Sequence, residues 1–211
     1  MTLDEEFEII KEFIQNEEGV FKKPQKNATF INGDDKHLSS LKNTFIKSRN
    51  TKISITEPKT ITDDALWEYI KLQKNLSSKQ VNEFAKYHKI AMSIETKLGT
   101  LLESFIYKHI NKYNWIWCSG SIVKDIDFIN KNVDKDGNIE WTALQVKNSD
   151  NSENAASSRV RVGTNIKKWF RRLSTVKNKD NWNELAKIVK EDNKELLTEL
   201  SEKNYLEYLK T

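Results

Sequence analysis

Ile-Val-Lys-Asp-Ile-Asp-Phe-Ile-Asn at 122–130, the polar turn to Asn138, and Ile-Glu-Trp-Thr-Ala-Leu-Gln-Val-Lys-Asn at 139–148 together decide the fold. Both apolar runs alternate with polar residues, which predicts two strands joined as a hairpin. Residues two apart in a strand share a face. Asp125 and Asp127 are therefore expected on one face, with Ile126 and Phe128 on the other. Gln145 and Lys147 likewise share a face, with Leu144 and Val146 on the reverse. Pairing the two strands can bring an acid, an amide and an ammonium to one end of a sheet. Carboxylate and amide oxygens are hard donors suited to Mg²⁺, and a lysine beside them can orient or activate a water. The plain alternative is a set of polar residues on a half-exposed strand.

Upstream, Trp115–Gly120 (WIWCSG) is a further short β-rich run, and residues 92–111 read as a helix. Ile94, Leu98, Leu101, Leu102, Phe105 and Ile106 form its broad apolar face, with Glu95, Gly99 and Glu103 aligned beside it at i, i+4 and i+8. A glycine inside a helix costs about 1 kcal/mol relative to alanine, so Gly99 predicts close approach of another backbone, the sheet. Glu103 would then face the acidic strand. Earlier helices start near Ser77, carrying Val81, Phe84, Ala85 and His88, and at Thr62, where Asp63 and Asp64 suit a helix N-terminus. Residues 3–17 form an amphipathic helix, with Thr2 and Glu5 spaced as a capping box. Residues 18–60 yield no clear element. Apart from a polar loop at 148–154, everything after the hairpin reads as helical.

Helices, a few strands and helices again predict a mixed α/β fold, a small mixed sheet flanked by helices. The expectation is a single domain over 1–211: a mainly helical part at 1–91, a core at 92–182 and a helical C-terminal part at 183–211. Composition agrees: 211 residues, 37% hydrophobic and 31% charged, support one sizeable core. One cysteine, Cys118, excludes an internal disulfide framework or a cysteine-rich zinc site, and three histidines do not make a metal cage. No stretch is apolar enough for a membrane span, and MTLDEEFEII is acidic where a signal peptide is basic, so the expected location is cytoplasmic. The net charge of +4 is unevenly spread: residues 155–180 hold eight Lys or Arg against Asp180 alone. Such a concentration suits a nucleic-acid surface, although charge runs also form ordinary solvated faces. Trp115, Trp117 and Trp141 read as sheet packing, Cys118 as a buried small residue and Gly120 as a turn.

With LGTLLE (98–103) on a helix, DIDFI (125–129) and LQVK (144–147), the chain resembles the PD-(D/E)xK nuclease core. The longer run LQVKNSDNSENAASS, followed by VGTNIKKWFRRLS, resembles type II restriction endonucleases of the SinI group. The resemblance implies a restriction-endonuclease-like core over about residues 93–182. It makes Asp127, followed by apolar Phe128–Ile129, the catalytic acid, with Asp125 as the alternative. Lys147 becomes the motif lysine, Glu103 the helix glutamate, and Gln145 stands where the family usually has Asp or Glu. It further implies Mg²⁺ held by Asp127, the Gln145 oxygen and the Val146 carbonyl, and hydrolysis of a phosphodiester by in-line attack of water.

The segment after Lys147 starts at the active-site end of the sheet. Asn148, Asn151, Glu153 and Asn154 can read base edges, and Arg159 and Arg161 can pair with guanine or phosphate. Lys167, Lys168, Arg171 and Arg172, read as helical, suit phosphates, with Trp169 and Phe170 as core anchors. The function implied is a site-specific double-stranded DNA endonuclease of a restriction-modification system, acting as a homodimer. A cognate DNA methyltransferase is expected as a genetic neighbour, not as a bound subunit. Other readings of the same core are a junction-resolvase-like structure-specific nuclease and a DNA-binding protein that has lost cleavage, with Gln145 as the mark of decay.

Overall fold

The computed structural model describes residues 1–17, 33–54, 63–150, 166–173 and 181–211. Contacts divide the chain into two compact units, one of residues 1–51 with 102–211 and one of residues 52–101. The expected boundaries at 91 and 182 do not coincide with this division, and within 1–91 only the residues up to 51 belong to the same unit as the sheet.

In the larger unit, α1 (Leu3–Asn16) starts with the expected capping box. The Thr2 hydroxyl accepts from the Glu5 N–H at 3.2 Å, and the Glu5 carboxylate accepts from the Thr2 N–H at 2.7 Å. Its buried stripe is Phe7, Ile10, Phe13 and Ile14. Next, α2 (Asp35–Asn50) is capped by the Asp34 carboxylate on the His37 N–H at 2.7 Å and buries Leu38, Leu41 and Phe45. This helix was not legible in the sequence, because its three apolar anchors are diluted by Lys, Ser, Asn and Thr.

The sheet has four strands in spatial order β1-β2-β3-β4: β1 (Trp115–Trp117), β2 (Phe128–Val133), β3 (Ile139–Ser149) and β4 (Ile166–Arg172). The β1–β2 and β2–β3 pairings are antiparallel and β3–β4 is parallel. In the β2–β3 turn the Asp134 carboxylate accepts from the N–H groups of Asp136 and Asn138 and from the Asn138 side chain, all within 2.9 Å. One sheet face packs Phe128, Leu144, Val146 and Trp169 against Leu102, Phe105, Ile106 and Ile110 of α4 (Ser78–Ile110), with α5 (Trp182–Val189), α6 (Lys194–Glu199) and α7 (Glu202–Tyr208) completing that layer. The other packs Ile116, Ile129 and Ala143 against α1, α2 and the segment holding Ile122, Val123 and Ile126. Helices cover both faces of the sheet, as the mixed α/β expectation required.

Four local expectations are corrected. Residues 122–127 are not a strand: Asp125 takes a left-handed conformation (φ 58°), which a short polar side chain tolerates, and β2 starts only at Phe128. Asp125 and Asp127 therefore do not share a strand face. The basic run Ile166–Arg172 is a strand, not a helix; doubled charges at i, i+1, i+4, i+5 fit either, and the exposed edge of β3 decides between them by pairing. The two helices read over 78–111 are one 33-residue helix. Finally, a Cβ added at Gly99 would meet nothing within 4 Å among the described residues, so no close backbone approach explains that glycine. Gly120 does need its freedom: at φ +79° a Cβ would lie 3.2 Å from the Thr44 carbonyl of α2.

In the smaller unit, α3 (Asp64–Lys74) is capped by the Asp63 carboxylate, as the sequence predicted. Trp67 of α3 meets His88 of α4 edge to face at 5.8 Å. Among the described residues no helix is long and apolar enough to cross a membrane.

Candidate active site

The hairpin builds the site from its backbone. The Asp127 N–H donates to the Leu144 carbonyl at 2.9 Å, and the Asp127 carbonyl accepts from the Cys118 N–H at 2.8 Å. Asp127 is thus pinned between the end of β1 and the middle of β3. Its Oδ2 accepts from the Val146 N–H at 2.7 Å. The N–H and C=O of one strand residue leave on the same edge, and residues two apart use the same edge. The Val146 carbonyl therefore points to the side where the Asp127 carboxylate lies. Gln145 is buried and Lys147 half-buried, both on the sheet face opposite Leu144 and Val146.

Glu103 comes from α4. Its Oε2 accepts from the Trp117 indole N–H at 2.8 Å. Burial and the nearby Asp127 charge push its carboxyl up to about 8, against the pull of the Trp117 hydrogen bond and the Lys147 ammonium. Asp127 is also raised, to about 6, chiefly by burial; the Val146 N–H and Lys147 oppose the shift and Asp125 adds to it. The structure thus brings Glu103, Asp127 and Lys147, far apart in sequence, within electrostatic reach of one another. Lys147 alone does not offset the crowding of the acids.

A divalent cation fits this donor set. Asp125 Oδ2 is buried with no hydrogen-bond partner among the described residues, and both neighbouring carboxyls hold their protons too tightly for acids in water. A divalent cation held by Asp127 would relieve the crowding of the carboxyls. No three His, Cys, Asp or Glu side chains among the described residues close on one point. The cation would therefore need the Gln145 amide oxygen and the Val146 carbonyl as well as Asp127, and Mg²⁺ commonly keeps several waters besides.

Behind Trp117 lies a second layer that sequence reasoning missed. The Arg49 guanidinium of α2 stacks 3.9 Å from the Tyr107 ring centroid and 4.9 Å from that of Trp117. It also pairs with the buried Glu6 of α1 at 2.9 Å, and the Tyr107 hydroxyl donates to the same carboxylate. The one signal in the sequence was an indole in a buried strand, whose N–H must find an acceptor.

The residues expected to grip DNA separate. Asn151, Glu153, Asn154, Arg159 and Arg161 lie outside the described residues. Arg171 pairs with Glu202 of α7 at 2.6 Å, donates to the Asn148 side chain at 3.3 Å and lies over Tyr205. Arg172 reaches the same Glu202 oxygen at 2.9 Å, with its side chain 59% exposed. The Trp182 indole donates to the other Glu202 oxygen at 3.1 Å. Burial works against ionisation of Glu202, but the bonds from Arg172, Arg171 and Trp182 outweigh it and hold its carboxyl below the usual range. Lys167 is exposed, and Lys168 is half-buried on the face that carries Gln145 and Lys147.

The sequence model of the SinI restriction endonuclease family matches residues 1–211. The chain is 35% identical over 181 residues to the type II restriction enzyme SinI of Salmonella infantis, covering 85% of this chain and 76% of that enzyme. It is also 35% identical over 161 residues to the type II restriction enzyme Eco47I of Escherichia coli, covering 76% of this chain and 68% of that enzyme. A match along the whole chain, on a fold that gathers Glu103, Asp127 and Lys147 at one end of its sheet, means that the chain belongs to the SinI restriction endonuclease family.

Proposed function

We propose that the chain is a Mg²⁺-dependent type II restriction endonuclease that cuts both strands of duplex DNA at a short site as a homodimer. Family membership supports the class of reaction. The observation that carries the chemistry is the meeting of Glu103, Asp127 and Lys147, from α4, the start of β2 and β3. One such constellation per chain, among the described residues, favours two copies for two cuts.

Asp127, the Gln145 side-chain oxygen and the Val146 carbonyl would hold Mg²⁺, which when bound polarises the phosphate and stabilises its developing charge. The Val146 N–H keeps the Asp127 carboxylate in one orientation, so little reorganisation is needed during the reaction. Lys147 orients the attacking water and offsets negative charge beside it. Glu103 keeps one oxygen on the Trp117 indole and can take up a proton on the other. Gln145 adds an oxygen donor without adding a third negative charge to acids already crowded. The amide is thus compatible with activity and does not require a decayed site.

Digestion of unmethylated phage DNA with Mg²⁺ tests the reading. Discrete fragments are expected from the wild type, and none from Asp127→Ala, which should still bind the site. A smear or intact DNA from the wild type would overturn it, and undiminished cutting by Asp127→Ala would move the acid's role to Asp125.

A further inference from the structure

We propose that Arg49 and Trp117 are positioning residues of the cleavage reaction: the Arg49 guanidinium fixes the Trp117 indole, and the indole N–H fixes Glu103 at the site. The assignment rests on the endonuclease reading and comes from the end of β1. Trp117, the last residue of that strand, donates from its indole to Glu103 Oε2 at 2.8 Å. Cys118, the next residue, donates its backbone N–H to the Asp127 carbonyl at 2.8 Å. Two consecutive residues thus hold the two acids, one through a side chain and the other through the backbone. The indole commits one Glu103 oxygen only, and Oε1 has no hydrogen bond among the described residues.

An indole that only filled space would need no cation behind it. The Arg49 Cζ lies 3.9 Å from the Tyr107 ring centroid and 4.9 Å from that of Trp117. Tyr107 stands one helical turn after Glu103 on α4, so the guanidinium joins the ring that holds Glu103 to the helix that carries it. Glu6 orients the cation at 2.9 Å, and the Tyr107 hydroxyl donates to the same carboxylate, so α1, α2, α4 and β1 meet at one point. The Arg49 and Glu6 side chains are 8% and 4% exposed, and Arg49 Nη1 is buried with no hydrogen-bond acceptor among the described residues. A buried ion pair is often no more stabilising than apolar residues of the same volume, and an unsatisfied nitrogen lowers its worth further. What the pair supplies is direction: a planar cation against two rings fixes their tilt, which an aliphatic side chain would leave free. Misplacing a reacting group by about 1 Å can cost on the order of 10²-fold in rate.

The test is a double-mutant cycle against Glu103. Trp117→Phe keeps a ring and removes the N–H, and Glu6→Gln with Arg49→Met removes the cation without leaving a lone buried charge. Single-turnover cleavage with Mg²⁺, on a duplex carrying the site found by phage digestion, should fall about 10–100-fold in each. Binding of that duplex, measured in an Asp127→Ala background so that it stays whole, should change by less than about threefold. In a Glu103→Ala background the same substitutions should slow cleavage by less than about a further twofold, while still lowering the melting temperature. A purely structural role would slow cleavage equally with and without Glu103. Such equal losses overturn the assignment, as does cleavage by W117F within about threefold of wild type, or wild-type cleavage by Glu103→Ala. Should W117F fail to melt cooperatively, the Glu6→Gln, Arg49→Met protein decides by the same cycle. A wild type that cuts no duplex overturns the endonuclease reading itself, and this assignment with it.

Discussion

Glu103→Gln exchanges a carboxyl that the folded protein keeps protonated for a neutral amide of the same shape, whose oxygen can still accept the Trp117 indole N–H. A raised folded-state pKa contributes stability that is present below the unfolded pKa and lost as pH rises through the folded one. For Glu103 that window runs from 4.5 to about 8. In the absence of divalent cations the wild type should therefore lose stability across it, and the variant should not. A shift of that size corresponds to on the order of 5 kcal/mol at one isolated group. Asp127 competes for the same proton and water reaches part of the site, so about 2 kcal/mol is expected at pH 8. In a chain of this length that raises the melting temperature of the variant by about 4–8 °C. The measurement is thermal unfolding in EDTA at pH 5 and pH 8, with the two proteins coinciding at the lower value. A variant less stable than wild type at pH 8, or a difference independent of pH, would refute the reasoning.

Lys147→Ala should lose turnover by at least a hundredfold while its melting temperature stays within a few degrees, measured by single-turnover cleavage and calorimetry. Glu202→Ala strands Arg171, Arg172 and the Trp182 indole at once and should cost about 2–3 kcal/mol in urea unfolding at pH 7. Because Glu202 has a lowered folded-state pKa, that penalty should shrink as pH falls through it. Arg172→Ala should reduce the salt dependence of DNA binding by about one phosphate contact, whereas Arg171→Ala should mainly lower stability; equal salt slopes for both would remove Arg172 from the phosphate interface.

Legibility followed the range of the interactions involved. The α1 cap, the α3 start and the β2–β3 hairpin depend on residues within a few positions of one another, and they were readable. The approach of Glu103 and Asp127 to Lys147 was expected from the resemblance, whereas the reasoning from Gly99 and from a shared Asp125–Asp127 strand face did not hold. What failed was decided at long range. Ile166–Arg172 is a strand because β3 offers an edge, α2 is a helix because the sheet receives its three anchors, and neither partner is visible locally. The left-handed Asp125 was hidden for another reason: alternation in 122–130 imitates a strand, although Ile122, Val123 and Ile126 all bury in one cluster.

The discontinuous larger unit has a consequence for synthesis. When residues 1–51 have emerged from the ribosome and the sheet has not, α1 and α2 have each other but lack the sheet partners Ile116, Ile129 and Ala143. Some 90 further residues must emerge before that face can close, roughly 5–20 s at ordinary translation rates. Arg49 must likewise wait for Tyr107 and Trp117 before its rings are in place. The Trp117 bond to Glu103 and the Val146 N–H bond to Asp127 thus need partners from α4, β1, the start of β2 and β3, and the candidate site cannot assemble on a nascent chain before residue 147 has emerged.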